Sequence, residues 1–142
     1  VIGCIMYTKS RIVDGDVTHD IITFGPLCVE PEYQGCGVGE LLLRETMSIA
    51  VEKGYKSIVI FGEPDYYPRI GFKTCDNFSI TNADGKNFDA FMGIELAKDG
   101  FEGIKGKYYG SDVFDNLPKD EVEEFNKRFP VLKKLRFPGQ WD

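Results

Sequence analysis

Hydrophobic residues at the start of the chain fall into two strand-like blocks separated by a polar turn. The first block, Val1 to Ile12, is rich in Val, Ile, Met and Tyr, which favour extended backbone. The turn-forming sequence Asp14-Gly15-Asp16 follows, and a second strand-like block covers Ile21 to Glu30. Two such blocks around a short turn predict an antiparallel hairpin.

The segment from Val38 to Lys53 has the periodicity of an amphipathic helix. A narrow polar stripe repeats every four residues, and apolar side chains occupy the wide opposite arc; the stripe consists of Glu40, Arg44, Ser48 and Glu52. So wide an apolar face predicts a helix that packs against a sheet. Glu40 and Arg44 are expected to pair across one helical turn, which stabilises a helix by a few tenths of a kcal/mol.

The rest of the chain predicts short elements. After the stop at Gly54, the β-branched run from Ser57 to Phe61 predicts a third strand. Three further strands are predicted at Phe78 to Thr81, Ala90 to Leu96 and Ile104 to Tyr109. A final helix is predicted from Pro118 to Arg128, because a proline and several acidic residues open it.

The stretch from Leu27 to Gly39, L-C-V-E-P-E-Y-Q-G-C-G-V-G, predicts a binding site for an anion. An extended run breaks at Pro31 and passes through three glycines into the predicted helix. Glycine lets the backbone turn tightly and approach a ligand, and the start of a helix offers unpaired N–H groups and a positive dipole end. A pyrophosphate group fits such a site.

The glycine spacing excludes two common phosphate-binding loops. A dinucleotide fold needs G-x-G-x-x-G, but counting from Gly35 puts Glu40 at the last position, and counting from Gly37 puts Leu42 there. A nucleotide-hydrolysing P-loop needs a lysine after its last glycine, and this loop contains none.

Two motifs carry a family resemblance. The hexapeptide from Gln34 to Gly39 resembles the [QR]-x-x-G-x-[GA] signature of the GCN5-related N-acetyltransferase (GNAT) superfamily, and its fixed positions all match. Further along, Tyr67-Pro68-Arg69-Ile70-Gly71-Phe72 resembles the Y-x-x-x-G-F ending of that family. The likeness is to a bacterial subgroup of predicted acetyltransferases. It covers residues 1–114 as an acetyltransferase domain and leaves residues 115–142 as a C-terminal helix and tail.

The resemblance implies an α/β fold of the α+β type: a mixed, mainly antiparallel sheet flanked by helices, with a splayed strand pair at the acetyl-coenzyme A site. The first strand and the following helices of the family have no counterpart in this sequence. Those helices form part of the acceptor pocket in the family, so the resemblance is more informative about the coenzyme than about the acceptor.

The resemblance also implies which residues bind and react. Acetyl-coenzyme A, the expected co-substrate, would contact the end of one strand, the glycine loop and the helix start; these residues are Leu27, Cys28, Val29, Gln34, Gly35, Cys36, Gly37, Val38, Gly39 and Glu40. A main-chain N–H near Val29 would face the thioester carbonyl. Tyr67 occupies the general-acid position, with Tyr66 as a less favoured neighbour. Glu63 is the first candidate for a general base and Asp65 the second.

Composition limits the partners. The chain has 142 residues and a net charge of −6, which argues against nucleic acid and agrees with a cationic small-molecule or aminoacyl amine. No apolar run approaches the roughly 18 residues of a membrane span, so a cytoplasmic protein without membrane contact is expected. A homodimer is left open.

The cysteines and the single histidine form no metal or redox motif. No C-x-x-C pair occurs, and His19 is the only histidine, so no metal site is expected. The four cysteines are predicted to be separate, reduced thiols, with Cys4 and Cys28 in the core.

Three functions remain in order of preference. The first is an N-acetyltransferase that moves the acetyl group of acetyl-coenzyme A to a primary amine by direct attack, with Tyr67 as general acid. The second is a non-catalytic acetyl-coenzyme A sensor that keeps the glycine loop without turnover. A nucleotide-dependent oxidoreductase is third, because the glycine spacing disfavours it.

Overall fold

The structure, a computed structural model, describes residues 1–114, 116–131 and 133. Within those ranges the chain forms seven strands and two α-helices. In chain order these are β1 Gly3–Asp14, β2 Val17–Val29, α1 Val38–Glu52, β3 Ser57–Phe61, β4 Lys73–Thr74, β5 Ile80–Thr81, β6 Phe91–Glu95, β7 Gly106–Tyr109 and α2 Lys119–Asn126.

Each predicted element is present, with bounds shifted by at most four residues, except around Phe78, and the short strand β4 was not predicted. The predicted strand from Phe78 to Thr81 is wrong at its start, because Cys75–Phe78 forms a 3-10 turn and only Ile80–Thr81 pairs as a strand. Ser79 between them has a φ of 58°, a left-handed conformation that interrupts extended backbone. The apolar residues of this segment are therefore buried through a 3-10 turn and a two-residue strand rather than through one long strand.

All seven strands belong to one mixed sheet with the order β4-β6-β3-β2-β1-β7-β5. The predicted hairpin is present: β1 and β2 pair in antiparallel fashion from Gly3 opposite Val29 to Asp14 opposite Val17. The register shifts once, between Ile5 and Tyr7. Only the β2–β3 and β5–β7 pairs are parallel among the described strands.

The parallel pair at the centre of the sheet separates along its length. The ladder between β2 and β3 consists of one position, Ile22 opposite Ile58, although β2 continues to Val29 and β3 to Phe61. On its other side β3 pairs with β6 over all five of its residues. A gap therefore opens between β2 and β3 towards their C-terminal ends, and the expected mixed sheet with a splayed strand pair is confirmed.

Each face of the sheet covers its own core. The helix face packs under α1, and its buried members are Ile22, Phe24, Leu43, Ala50, Ile58, Ile60, Phe72 and Met92. The opposite face buries Ile12, Ile21, Val59, Cys75, Ile80, Phe91, Phe101 and Tyr108. Burying a side chain such as Leu43 stabilises the fold by roughly 1.5–3 kcal/mol.

The sheet curls over the second core. The ring centroids of Phe61 on β3 and Tyr108 on β7 are 5.7 Å apart, although β2 and β1 lie between these strands in the sheet. In a flat sheet three strand spacings would separate them by about 14 Å. We call this side the concave face.

The cysteines differ from the prediction. Cys4 and Cys28 are exposed rather than in the core, and they face each other directly across the β1–β2 hairpin, although all four cysteines are free thiols as predicted. The adjacent Cys28 thiol raises the pKa of Cys4. The apolar neighbours of Cys4 and Cys28 in the sequence predicted that both are buried. Their proximity depends on the strand register, which the sequence does not show. Cys75 is buried, and burial raises its pKa to about 12, so it stays a thiol.

The chain divides into two compact units, Val1–Ser111 and Asp112–Asp142. The second contains α2, whose first turn is acidic through Asp120 and Glu121, as its sequence indicates. The rings of Phe125 and Phe129 lie 5.3 Å apart on this unit. Most of the predicted C-terminal tail lies outside the described residues.

Candidate active site

A cavity of about 720 Å³ opens at the gap between β2 and β3. Three stretches of chain line it: the end of β2, the glycine loop with the start of α1, and the segment after β3. The lining residues are Leu27, Cys28, Val29, Tyr33, Gln34, Gly35, Gly37, Val38, Gly39, Glu40, Glu63, Tyr66, Tyr67, Arg69 and Ile70. The structure thus brings both sequence motifs to one cavity, although more than 25 residues separate them in the chain.

The glycine loop has the backbone that its sequence predicts. Gly35 and Gly37 have φ values of 73° and 84°, in the left-handed region that favours glycine. A Cβ at either position would meet nothing within 4 Å, so both face open space. The first helical hydrogen bond of α1 runs from the Leu41 N–H to the Gly37 carbonyl. The N–H groups of residues 38–40 precede it and are available to a ligand.

Gln34 ties the loop to the end of β2. Its Nε2 donates a hydrogen bond of 2.9 Å to the carbonyl oxygen of Val29. This contact gives a structural reason for the glutamine at the first motif position, because it fixes the loop relative to the strand that borders the gap.

The backbone of Val29 points into the gap. The Glu30 N–H donates to the Ile2 carbonyl at 2.8 Å, which makes that pair a hydrogen-bonded one in the hairpin. Hydrogen-bonded and non-hydrogen-bonded pairs alternate, so the neighbouring pair of Gly3 and Val29 is non-hydrogen-bonded. The N–H and C=O of Val29 therefore point away from β1, towards the side where β3 has separated.

Glu40 brings a negative charge to the cavity, but it is paired. Arg44 binds its Oε1 atom through Nη2 at 2.6 Å and through Nε at 2.8 Å. The expected pair across one helical turn is therefore present. Both side chains are about half exposed, so the pair contributes little to folding, and its main effect is on the charge beside the loop.

Tyr67 begins a short 3-10 helix, Tyr67–Ile70, and its ring is held by aromatic neighbours on the helix face. Its centroid lies 5.7 Å from that of Phe24 and 5.5 Å from that of Phe72. Burial raises the pKa of the Tyr67 phenol, and Tyr66 and Tyr7 raise it further. The hydroxyl makes no hydrogen bond to any residue that the structure describes, so it is free to donate to a ligand in the cavity.

Tyr66 also lines the cavity; its ring contacts that of Tyr67 at 5.1 Å, and its hydroxyl lies near the start of α1. A Cβ at Gly39 would be 3.3 Å from the Tyr66 hydroxyl, so this glycine allows the tyrosine to approach α1. The guanidinium of Arg69 lies 4.9 Å from the centroid of the Tyr66 ring. Neither Arg69 nor Tyr33 stood out in the sequence, although each occupies a variable position beside or inside a motif.

The two candidate bases differ in position. Glu63 is exposed and lines the cavity, and its backbone carbonyl accepts the N–H groups of Tyr66 and Tyr67. Asp65 is not among the lining residues. The structure also separates Cys36 from the cavity lining: its thiol is exposed and contacts the Gln34 carbonyl at 3.7 Å.

Neither a metal-binding cluster nor a membrane-spanning helix occurs in the described part of the chain. No group of three or more His, Cys, Asp and Glu side chains there could hold a metal ion. Among the helices of the described ranges, none is both long and apolar enough to cross a membrane.

Two curated relatives from Escherichia coli K12 match the chain. The uncharacterized N-acetyltransferase YjhQ is 35% identical over 77 residues, which cover 52% of this chain and 41% of YjhQ. The uncharacterized N-acetyltransferase YhbS is 27% identical over 106 residues, which cover 75% of this chain and 62% of YhbS. The chain thus spans less than two thirds of either relative.

Two solved structures share the fold. The crystal structure of YhbS from Escherichia coli in complex with CoA has a TM-score of 0.73 at 24% identity, covering 83% of this chain and 64% of that one. A GNAT family acetyltransferase from Brucella melitensis in complex with acetyl-CoA has a TM-score of 0.60 at 25% identity, covering 80% of this chain and 61% of that one.

The family model described as "Acetyltransferase (GNAT) domain" matches residues 1–74, just over half of the chain. This match includes the hairpin, the glycine loop, α1, β3 and the Tyr67-to-Phe72 motif. The chain therefore belongs to the GNAT acetyltransferase family.

Proposed function

We propose that the protein transfers the acetyl group of acetyl-coenzyme A to a primary amine by direct attack. The observation that carries this proposal is the common cavity of the glycine loop and Tyr67, which joins an anion site to a proton donor. The solved relatives in complex with CoA and acetyl-CoA support the choice of coenzyme.

The glycine loop would bind the pyrophosphate of the coenzyme. The free N–H groups at the start of α1 and the positive end of the helix favour a doubly charged anion. Glu40 at the same place would repel it, and Arg44 offsets that charge by direct pairing. Leu27, Cys28 and Val29, at the end of β2, would contact the part of the coenzyme that extends from the pyrophosphate towards the gap.

The N–H of Val29 is the proposed oxyanion donor. It points into the gap, and its direction is fixed by the hairpin register and by the Gln34 contact to the same residue. A donor held in place before the reaction stabilises a developing negative charge without reorganisation. Loss of one such donor typically costs about 3 kcal/mol in the transition state.

Tyr67 is the proposed donor to the departing thiolate. An ordinary phenol with a pKa of about 10 is a weaker acid than a thiol with a pKa of about 8.5, so full transfer is uphill by about 2 kcal/mol. Burial raises the pKa of Tyr67 and makes early transfer harder still. Tyr67 therefore acts by donating a hydrogen bond that strengthens as the thiolate forms, and the proton moves late.

Glu63 is the proposed base. A primary alkylamine has a pKa of about 10.4 and must lose a proton before it attacks a carbonyl. Glu63 is exposed at the cavity, so it would accept that proton through water. Asp65, which is not among the lining residues, is less suited to this role.

The test has two stages. Calorimetry with acetyl-coenzyme A, and with NAD as a control, measures whether the cavity selects the coenzyme. A panel of amines and alcohols, assayed by release of free coenzyme thiol and by mass spectrometry of the products, then measures transfer. N-acetylated products support the enzyme. Tight coenzyme binding without transfer to any acceptor would favour the sensor, and exclusive O-acetylation would contradict amine specificity.

A further inference from the structure

One exposed aromatic side chain stands at the end of the strand that borders the gap. Phe61 is the last residue of β3, and 47% of its surface is exposed. It is not among the residues that line the coenzyme cavity, and the proposed chemistry does not use it.

Phe61 belongs to the concave face, opposite to the coenzyme cavity. Its predecessor Ile60 is part of the helix-face core, and successive side chains of a strand point to opposite faces. In agreement, the Phe61 ring stacks on that of Phe91, a member of the concave-face core, with centroids 4.9 Å apart and planes 25° apart.

The two stacked aromatic neighbours of Phe61 lie on one side of its ring, and a third neighbour, Tyr108, contacts it in a T-shaped arrangement at 5.7 Å. Phe91 is 4.9 Å away and Phe88 is 6.0 Å away, both in stacked orientation. Those two rings are themselves only 6.0 Å apart, whereas rings on opposite faces of Phe61 would be separated by nearly the sum of the first two distances. The exposed surface of Phe61 therefore includes an aromatic face suited to stacking.

Phe61 is next in sequence to Gly62, the residue against which the ring of Tyr67, the proposed acid, packs. The next residue, Gly62, lies against the Tyr67 ring, so closely that a Cβ at Gly62 would overlap it. Phe61 lies three residues beyond Ile58, the residue of β3 that pairs with β2. At Phe61 the two strands have therefore already separated. Because β2 and β3 are not paired at this level, an acceptor on the concave face could approach the cavity between them.

A direct transfer needs coenzyme and amine to be bound at the same time. The coenzyme would fill the cavity on the helix face, so the concave face on the other side of the gap is left for the amine. The same face carries a polar group without a partner: Oγ1 of Thr8, opposite Thr23 on the neighbouring strand, is buried and has no hydrogen bond to any described residue.

We infer that the concave face beside the gap binds the acetyl acceptor, and that this acceptor is a primary amine on a short linker to an aromatic ring that stacks on Phe61. This inference rests on the proposed function and narrows its substrate class. Phe61 is then a specificity-determining residue rather than a catalytic one, because it contacts the body of the acceptor and not the reacting nitrogen.

The experiment compares phenethylamine with ethylamine and spermidine, in the parent protein and in Phe61→Leu and Phe61→Tyr. Leucine keeps an apolar side chain in the strand but removes the ring, and tyrosine keeps the ring. We expect phenethylamine to have the highest kcat/KM in the parent. Phe61→Leu should raise its KM about tenfold, as expected for one lost aromatic stack with its burial, while Phe61→Tyr stays near the parent.

Controls separate this inference from the proposed function. The KM for acetyl-coenzyme A should be unchanged in both variants, and ethylamine should not distinguish Phe61→Leu from the parent. Saturation-transfer NMR with phenethylamine and protein loaded with coenzyme A measures acceptor binding without turnover, and Phe61→Leu should weaken that signal.

Two results would overturn the inference while leaving acetyl transfer intact. The first is a preference for spermidine or ethylamine over phenethylamine, and the second is the same KM for phenethylamine in the parent and in Phe61→Leu. If no amine is acetylated, the proposed function fails and the NMR comparison decides alone. Binding that depends on Phe61 would then support the aromatic site, and binding that does not would reject it.

Discussion

The ring of Tyr67 lies directly on the backbone of Gly62, where a Cβ would overlap the Cδ2 and Cε2 atoms of that ring. Gly62 has no left-handed φ that would by itself require glycine. The glycine is therefore needed for space, and it sets the position of the proposed acid at the end of β3.

Gly62→Ala should displace the Tyr67 ring and lower kcat by at least about tenfold, because a shift of about 1 Å at a reacting group is costly. Overlap in a packed site should also reduce stability by about 1–3 kcal/mol. Gly110→Ala is the matched control, since a Cβ there meets only the Tyr108 hydroxyl at 3.9 Å. Stopped assays and thermal melts measure both effects. Unchanged kcat in Gly62→Ala would contradict the role given to this contact.

Gly37→Glu should abolish acetyl-coenzyme A binding, because it places a negative charge where the pyrophosphate is expected. Gly85→Glu is the control for backbone strain, because Gly85 also has a positive φ, 78°, and open space around its Cβ position. Calorimetry should show lost binding in the first variant and parental affinity in the second. Equal affinity of the folded Gly37→Glu protein and the parent would refute the site assignment.

Tyr67→Phe should lower kcat by about 10²- to 10⁴-fold with nearly unchanged coenzyme affinity, because it removes only the hydroxyl. Tyr66→Phe is the control, since its hydroxyl lies at the start of α1. We expect Tyr66→Phe to keep its kcat. If both variants behave alike, or if Tyr67→Phe loses stability rather than rate, Tyr67 is structural and the sensor hypothesis gains.

The kcat of the parent should decrease at alkaline pH only above about pH 10. The raised pKa of Tyr67 means that folding favours the protonated phenol, so the acid is retained up to about pH 10 and lost as the pH rises through the folded value. Its contribution to stability disappears over the same window. The kcat of the parent should rise towards the pKa of the amine and then fall, and this fall should be missing in Tyr67→Phe. A fall already complete at about pH 8 would exclude Tyr67 as its cause.

Arg44→Ala should weaken acetyl-coenzyme A binding several-fold, because it leaves the Glu40 carboxylate unpaired beside the pyrophosphate site. The double variant Glu40→Gln with Arg44→Ala should recover most of that affinity. Calorimetry at low and high salt measures the effect, which screening should reduce. If the double variant binds as weakly as Arg44→Ala, Arg44 contacts the coenzyme itself.

The residues of the two motifs were predictable because their geometry is local. Gly35 and Gly37 adopt left-handed backbone for reasons that reside in glycine itself, and the helix start at Val38 follows from periodicity. The strand from Ser57 to Phe61 was found with its observed bounds, since an uninterrupted β-rich run after a glycine stop has one local interpretation.

Other features depend on strand pairing, which joins residues far apart in sequence and leaves no local signal. The register of β1 and β2 turns the Val29 N–H into the gap, and it also brings Cys4 and Cys28 together at exposed positions, where hydrophobicity had predicted that both lie in the core. The contact of Gly62 with Tyr67 depends on how the chain returns after β3.

The sequence by itself determined a glycine loop and a following helix, because backbone preferences and periodicity act within short segments. The resemblance carried by the loop and the Tyr67 motif implied the GNAT-type fold. Only the tertiary structure decided that the loop and Tyr67 line one cavity and that Phe61 faces the other side of the sheet. Separation of β2 from β3 and the curl of the sheet produce both results. These are properties of the whole sheet, since they arise from the summed twist and pairing of its strands.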